Sequence, residues 1–519
     1  MEKAALAVSR RVMAMLRPRQ GSAADGAGST KGVRILAGPG HNGGDGLVVA
    51  RELHLAGIPV TIWSPFQRRK PLTETHLRHA RWLGIPLAEA EPDPADPALW
   101  VDALFGVGQS RPPGEAIEAL LARREIHHPG ALVAIDTPTG LCSDTGRVLG
   151  TRAATASVTY CLGLLKQGLV QDRALVFVGR LERIDLGMPE ALLADLPADQ
   201  PLALGSTPEV AAQDRAHAPW PPADPAASKY ARGRLLVVAG SSRYRGAAHL
   251  ALLGATASGC GSLRACLPRE LADDLWMIHP HVVQETSLGS TASGGLDLTD
   301  LLPDWLERLD AVLLGPGLGA ADPIGEEGVG ALVPMSRADG EPWRALQAFE
   351  GLLVLDADGL NRLAESTTGM GSGAESGIAW LRGRGGPTWI TPHPGEFARL
   401  FPDLASTPPL EAAAAAACRS GSVVLLKGAH SVVAAPDGRR WQVLQAAPEA
   451  ARAGLGDVLA GYVAGRGAMA MTSAPLDAAL LAAAALEHAL AGLRCRRRRG
   501  PGGVTPMAVG KALMQRSTA

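Results

Sequence analysis

"ILAGPGHNGGDGLVVARELHLAGIPVTIW" occupies Ile35–Trp63. An aliphatic, β-branched run leads into a glycine-dense loop. A helix-like apolar pattern follows, and then a second apolar run. Strand, loop, helix, strand is the repeating unit of a parallel sheet covered by helices. Gly38, Gly40 and Gly43 match the dinucleotide fingerprint G-x-G-x-x-G letter for letter. A pyrophosphate loop of that kind needs an acidic residue about 20 positions on, to grip the ribose. Here the next strand ends "TIWSPFQRR", which has no carboxylate. Asp45 also lies inside the loop, where its charge repels phosphate at a helix N-terminus. Asn42 and Asp45 instead offer side-chain oxygens suited to a hard cation or to sugar and amide groups. The fingerprint is a weak signal, and pyrophosphate binding in the dinucleotide manner is not expected.

The same alternation continues outward. "GVRILAG", "IPVTIW", "LWVDALFG" and "GALVAIDTP" read as buried strands, with helices around Val48–Ala56, Glu74–Leu83 and Glu115–Arg123. From Pro197 to Ala227 the chain is rich in Pro, Ala and Asp and ends in "APWPPADPAAS". A second series follows: "GRLLVVAGS", "LDAVLLGPG", "GLLVLDADG", "PTWITPHPG" and "GSVVLLKGA". The expectation is an α/β protein of two domains, 1–210 and 228–519, joined by a linker over 211–227.

Bulk properties exclude several classes. The 519 residues suffice for two or three domains. With 50 basic against 51 acidic residues the net charge is -1, so no long-range field draws the chain to nucleic acid or to an anionic membrane. Hydrophobic residues make up 46% and aromatics 4%, which implies a core of Ala, Val and Leu. None of the six cysteines forms a C-x-x-C pair, which argues against zinc ribbons and disulfide scaffolds and fits a reducing cytoplasm. "MEKAALAVSRRVMAMLRPRQ" is interrupted by Arg10 and Arg11 and lacks a small-residue cleavage site, so it does not read as a convincing signal peptide. "DAALLAAAALEHALAGL" carries Asp477, Glu487 and His488 and reads as a buried helix, not a membrane span. The run Arg496–Arg499 reads as a solvated loop before "GPGG".

Ligands of open α/β sheets bind at the carboxyl ends of strands. Three such ends supply companions to the first loop: Asp102 in "VDALFG", the loop "GVGQSRP" from Gly106 to Pro112, and "AIDTPTG" with Asp136 and Thr139. Each alone is a common turn former. Together "GPGHNGGDG", "DALFGVGQSRP", "AIDTPTGLCSDTG" and "LGLLKQGL" closely resemble the NAD(P)H-hydrate epimerase domain, in order and spacing, over roughly residues 1–200. The resemblance implies a Rossmann-like three-layer α/β/α sandwich whose first loop helps to form the hydrate site and holds a potassium ion. It places Asn42, Asp102 and Thr139 as potassium ligands. It places His41, Asn42, Gly43, Gly44 and Asp45 along the substrate site, with Gly106, Val107, Gly108, Gln109, Ser110, Arg111, Pro112 and Asp136. Asp136 is the candidate for acid–base work. His41 stands where the family usually has Asn, and Thr139 where it usually has Ser; Thr keeps the hydroxyl. "MEKAALAVSRRVMAML" resembles the family's N-terminal helix without the segment that normally precedes it, which points to a truncated start or a weakened subunit contact.

In the second half, "ARAGLGDVLAGYVAG" runs Gly454-Leu455-Gly456-Asp457 into an apolar helix. Backbone N–H groups at such a terminus form an anion hole, and a first-turn Asp can accept a proton, an arrangement suited to phosphoryl transfer to a hydroxyl. The plain alternative is an ordinary helix start with a dipole-favoured Asp. "KYARGRLLVVAGSSRYRGAAHLA", "LLGPGLG", "LDADGLN", "TPHPGEFARL" and "LLKGAHSVV" precede it. In this order they resemble the ADP/ATP-dependent NAD(P)H-hydrate dehydratase, a ribokinase-like α/β domain, over about residues 228–519. The resemblance implies that Ala247, Gly317, His393 and Asp457 contact the hydrate, with Asp457 catalytic. Lys427, Gly428, Ala429, His430, Ser431 and Gly456 would hold the adenine nucleotide, ADP or ATP with magnesium. "TPHPGE" lacks the further ligands of a closed zinc site. Leu455 replaces the family's usual Ser or Thr, and "APEAARAG" replaces a stretch typically holding Asn and Thr. Losing one hydroxyl removes a phosphate hydrogen bond worth about 0.5–1.5 kcal/mol net.

The combined expectation is a cytoplasmic, homo-oligomeric enzyme of nicotinamide nucleotide repair. Its first domain interconverts the R and S hydrates of NAD(P)H, and its second phosphorylates the S hydroxyl on C6 and eliminates phosphate. A ribokinase-like small-molecule kinase that releases a stable phosphorylated product, and a non-catalytic nucleotide-binding protein, remain open beside it.

Overall fold

The aliphatic run that opens the first motif forms the middle of a sheet. In a computed structural model that describes residues 1–16, 32–194, 196–197, 199–205, 226–301, 303–321, 340–365, 374–472 and 476–515, the chain divides into two units, Met1–Leu196 and Pro197–Ala519. In the first unit β1 (Val33–Ala37), β2 (Val60–Trp63), β3 (Leu87–Ala88), β4 (Leu99–Ala103), β5 (Leu132–Ile135), β6 (Val158–Leu162) and β7 (Arg180–Ile184) stand in the order β3-β2-β1-β4-β5-β6-β7. Every neighbouring pair is parallel. Alternate residues feed two cores: Ile35, Val101 and Val133 pack with Leu47 and Leu53, whereas Leu36, Trp100 and Ala134 pack with Leu120. Both faces are therefore covered, as the three-layer expectation requires. Strand order reverses between β1 and β4, and that is where a ligand crevice opens in such sheets.

The helix after β1 starts earlier than its periodicity suggests. It spans His41–Leu55, so Asn42, Gly43, Gly44 and Asp45 lie in its first turns and not in a loop. Glycine is a poor helix former, but here packing decides. A methyl group on Gly43 would lie 1.9 Å from the Gly38 carbonyl oxygen, and one on Gly46 would lie 2.5 Å from Ala103 Cβ. Gly43 and Gly46 thus let the helix pack closely against the loop after β1 and against β4.

The second unit holds β8 (Leu202–Leu204), β9 (Arg234–Val238), β10 (Ser262–Pro268), β11 (Val283–Leu288), β12 (Ala311–Leu314), β13 (Leu352–Leu355), β14 (Thr388–Ile390), β15 (Val423–Leu426), β16 (Val432–Ala434) and β17 (Arg440–Val443). Their order is β11-β10-β9-β12-β13-β14-β15-β16-β17-β8. β16 runs antiparallel to both its neighbours, and the other pairs are parallel. Leu235, Val237, Leu313 and Val354 face one core, and Leu236, Leu314, Leu353 and Leu355 face the other. The α/β class expected for both halves is the one the chain adopts.

Two expectations need correction. By sequence the first domain runs to residue 210, whereas Leu202–Leu204 pairs with Trp441–Val443 at the edge of the second sheet. A three-residue edge strand in a Pro- and Ala-rich stretch carries no periodic signal. Arg496–Arg499 is not a loop but the exposed last turn of the helix Ala479–Arg499, where cations complement the C-terminal end of the helix dipole. The expected linker 211–227 lies outside the described residues except for Ala226 and Ala227. Among the described residues no helix is long and apolar enough to cross a membrane.

Candidate active sites

The loops after β1, β4 and β5 enclose a pocket of about 890 Å³ in the first unit. His41, Asn42, Asp45, Asp136 and every residue from Gly106 to Pro112 line it. Gly43 and Gly44 do not, because both turn inward; a methyl group on Gly44 would meet Met1 Cε at 2.6 Å. Gly106 lets two elements of the site come together: a methyl group there would lie 3.0 Å from Asp136 Oδ2 and 3.2 Å from Asn42 Cβ.

Asp136 follows β5 with φ +68, a backbone region few non-glycine residues adopt, which aims its carboxylate into the pocket. Oδ2 accepts the Val107 N–H at 3.1 Å, and Oδ1 accepts the Leu162 N–H at 3.4 Å and Lys166 Nζ at 2.5 Å. Lys166 lies within "LGLLKQGL" but escaped the sequence reading as a site residue. A lone Lys among apolar neighbours says nothing about a partner thirty positions earlier. Asp102 is fully buried below: it accepts the Thr139 hydroxyl at 2.7 Å, the Thr139 N–H at 2.8 Å and the Leu104 N–H at 3.2 Å. Burial pushes its carboxyl up to about 6 against those bonds. Asn42 is enclosed with neither amide atom hydrogen-bonded, and Asp45 Oδ1 is likewise unpartnered. Buried polar atoms without partners are rare in native structures and mark places where a ligand group is suited to bind.

In the second unit the carboxyl ends of β12 to β15 converge. A methyl group on Gly315 would strike the Asp356 carbonyl at 1.7 Å, and one on Gly317 would meet Ala247 Cβ at 2.6 Å, so this loop has to be glycine-rich. Asp356 is buried and accepts Lys427 Nζ at 2.6 Å and the Thr391 hydroxyl at 2.8 Å. Lys427 Nζ also lies 4.0 Å from Glu396 Oε2 and 3.5 Å from where a methyl group on Gly456 would sit. Burial pulls the Lys427 ammonium down, but Asp356 and Glu396 outweigh it and hold the group above its ordinary value. Burial pushes Glu396 up to about 7.

His393 caps the helix Pro394–Leu400: its Nδ1 accepts the Gly395 N–H at 2.9 Å, and Glu396 Oε2 accepts the His393 N–H at 2.8 Å. The helix Leu455–Met471 starts after Gly454, at φ +90, with no side-chain cap, leaving first-turn N–H groups for an anion. Asp457 is in that first turn. Burial first, then Asp356, pushes its carboxyl up to about 7. A dipole-favoured Asp on an open surface would shift the other way. Leu455 packs into the core, so its side chain offers nothing to the terminus. Ser431 Oγ turns back on its own loop to the Gly428 carbonyl at 3.2 Å. The structure thus joins His393, Lys427, Gly456 and Asp457, and adds Asp356, Glu396 and Thr391.

Two family models match the chain. One is described as "YjeF-related protein N-terminus" and matches residues 1–168, and one as "NAD(P)H-hydrate dehydratase" and matches residues 235–515. The chain is 42% identical to the bifunctional NAD(P)H-hydrate repair enzyme of Gloeobacter violaceus, over 84% of this chain and 80% of that one. It is 37% identical to the enzyme of the same name from Synechocystis, over 96% of this chain and 86% of that one. A solved ADP/ATP-dependent NAD(P)H-hydrate dehydratase from Bacillus subtilis, co-crystallised with ATP and magnesium, is 22% identical with a TM-score of 0.41, over 56% of this chain and 91% of that one.

Proposed function

The chain belongs to the bifunctional NAD(P)H-hydrate repair enzymes, and from that premise we propose how its two units divide the repair. The first unit epimerises the hydrates of NAD(P)H at C6. The second converts the S hydrate to NAD(P)H at the expense of ADP or ATP. Asp457 takes the proton of the C6 hydroxyl as its oxygen attacks phosphorus, while the backbone N–H groups at Gly456 and the Lys427 charge draw the phosphates. AMP or ADP departs, and loss of phosphate from C6 together with a proton from C5 then restores the dihydropyridine. The observation that carries this reading is Asp457: a half-buried carboxyl, pushed up to about 7, in the first turn of an uncapped helix and close to the half-buried Lys427. A base is most effective when its pKa lies near the operating pH.

Magnesium is read as entering with the nucleotide phosphates. In the first unit Asn42, Asp102 and Thr139 would hold a potassium ion, which would supply fixed positive charge at the pocket floor. Hard oxygen donors suit that ion, and the unpartnered Asn42 amide oxygen supports the fit. A cytoplasmic homo-oligomer completes the reading, and the six free cysteines accord with a reducing compartment. Kinship over nearly the whole chain with enzymes named for repair leaves the kinase and non-catalytic readings without support. The test is to incubate each hydrate epimer with ADP or ATP and follow NADH absorbance. Recovery from both epimers is expected, and a stable phosphorylated product without NADH would overturn the reading.

A further inference from the structure

The chemistry assigned to Asp136 leaves a second carboxyl in the same pocket unused. Asp45 is 7% exposed, lies in the first turns of the helix His41–Leu55 and lines the pocket. Its Oδ1 is enclosed with no hydrogen-bond partner, and Asn42, one turn earlier on the same helix face, has both amide atoms in the same condition. Leaving a buried polar group unmade is costly, and natural sites tolerate it where a ligand completes the bonding. Asp136 lives in the opposite environment, bonded to two backbone N–H groups and paired with Lys166. A buried carboxyl without a partner, in one pocket with a carboxylate tied to N–H donors and a Lys, is an arrangement suited to an acid and a base.

We propose, resting on the epimerase reading of the first unit, that Asp45 is its second catalytic residue: the acid that protonates the ring nitrogen while Asp136 deprotonates the C6 hydroxyl. The hydrate is a hemiaminal, with hydroxyl and ring nitrogen on one carbon. Asp136 removes the O–H proton, and that electron pair forms the C6=O bond. The C6–N1 bond breaks, and its electron pair takes the proton of Asp45. The product is an open-chain aldehyde with a neutral enamine N–H. Rotation about C5–C6 presents the other face of the aldehyde. N1 then attacks C6, the Asp45 carboxylate recovers the N–H proton, and Asp136 returns its proton to oxygen. Each proton goes back to its donor, no other reactant is consumed, and the hydroxyl oxygen is retained. Burial pushes Asp45 up to about 7, with the Met1 amino group opposing and Asp136 reinforcing the shift, so it carries its proton below neutrality. Among the described residues, His41, Lys70 and Arg111 are the other charged or titratable groups lining the pocket beside Asp45 and Asp136.

The test uses the full chain with ADP or ATP and each epimer separately. Asp45→Asn should lower enzyme-dependent use of the R hydrate about 100- to 10,000-fold while S-hydrate use stays at the wild-type rate. Wild-type R-hydrate use should fall as pH rises above about 7, when Asp45 loses its proton, and Asp45→Asn should lack that alkaline limb. Without nucleotide in ¹⁸O-labelled water, S hydrate formed from R hydrate should keep its unlabelled oxygen; label gained at every turnover overturns the ring-opening route. Asp45→Asn within threefold of wild type, or slowed with the wild-type alkaline limb intact, overturns the acid role. Should Asp45→Asn lose both activities, Asp45→Glu decides: R-hydrate use with the alkaline limb supports the proposal, and none overturns it. Wild-type protein that uses neither hydrate sinks the repair reading instead.

Discussion

Asp457→Asn isolates the base that the second unit is inferred to use. Asn keeps the size of the side chain and its hydrogen-bonding capacity, and the terminus is uncapped, so no capping bond is lost. Only proton affinity changes. With the Asp457 carboxyl at about 7, roughly a tenth is ionised at pH 6 and about nine-tenths at pH 8. Dehydration of the S hydrate should therefore rise about tenfold between those pH values in the wild type. Losing a general base costs about 100- to 10,000-fold, so the variant should recover almost no NADH and show a flat profile. ADP or ATP affinity, read by calorimetric titration, should change little, because Lys427 and the backbone N–H groups remain. Stability gives an independent check of the same carboxyl. Its folded value is raised above the unfolded value of about 3.9, so its stabilising contribution is full below about pH 4 and is lost as pH rises through 7. Asp457→Asn should accordingly melt above the wild type at pH 8, with the difference shrinking towards pH 4. A variant that retains more than about a tenth of wild-type turnover, or that keeps the wild-type rise with pH, would refute the base role.

Asp136→Asn should slow use of the R hydrate to near its spontaneous epimerisation rate and leave S-hydrate conversion intact; equal loss of both would show that the residue does not serve the first unit alone. Asn42→Ala should weaken potassium binding in calorimetric titration, whereas undiminished binding would remove Asn42 from the ligand set. Gly43→Ala should cost about 1–3 kcal/mol and lower the melting temperature, because its new methyl group meets a backbone carbonyl at 1.9 Å. Gly40→Ala is the matched control, since nothing lies within 4 Å of that position, and equal melting losses in the two variants would refute the packing role.

Much of this protein is legible from its sequence because the signals are local. Alternating aliphatic runs and helical periods specify two parallel α/β units, and turn-forming residues at strand ends mark where chemistry gathers. The missing ribose carboxylate after "TIWSPFQRR" already argues against pyrophosphate in the first loop. Asp136, Asn42 and Asp457 stand out because each sits in a short motif at a strand end or helix start that is readable before any of its distant partners is known. What only the tertiary structure decided depends on pairings across the chain. Lys166 becomes a site residue through an Asp thirty positions earlier, and Lys427 through Asp356, 71 positions away. Strand order places those ends side by side, and burial then sets the charge state of each group. The opposite environments of Asp45 and Asp136, the inward turn of Leu455, the helix beginning at His41 and the pairing of Leu202–Leu204 with the second sheet all follow from which surfaces the packed units exclude from water. That exclusion is a property of the assembled layers, and no local window of sequence contains it.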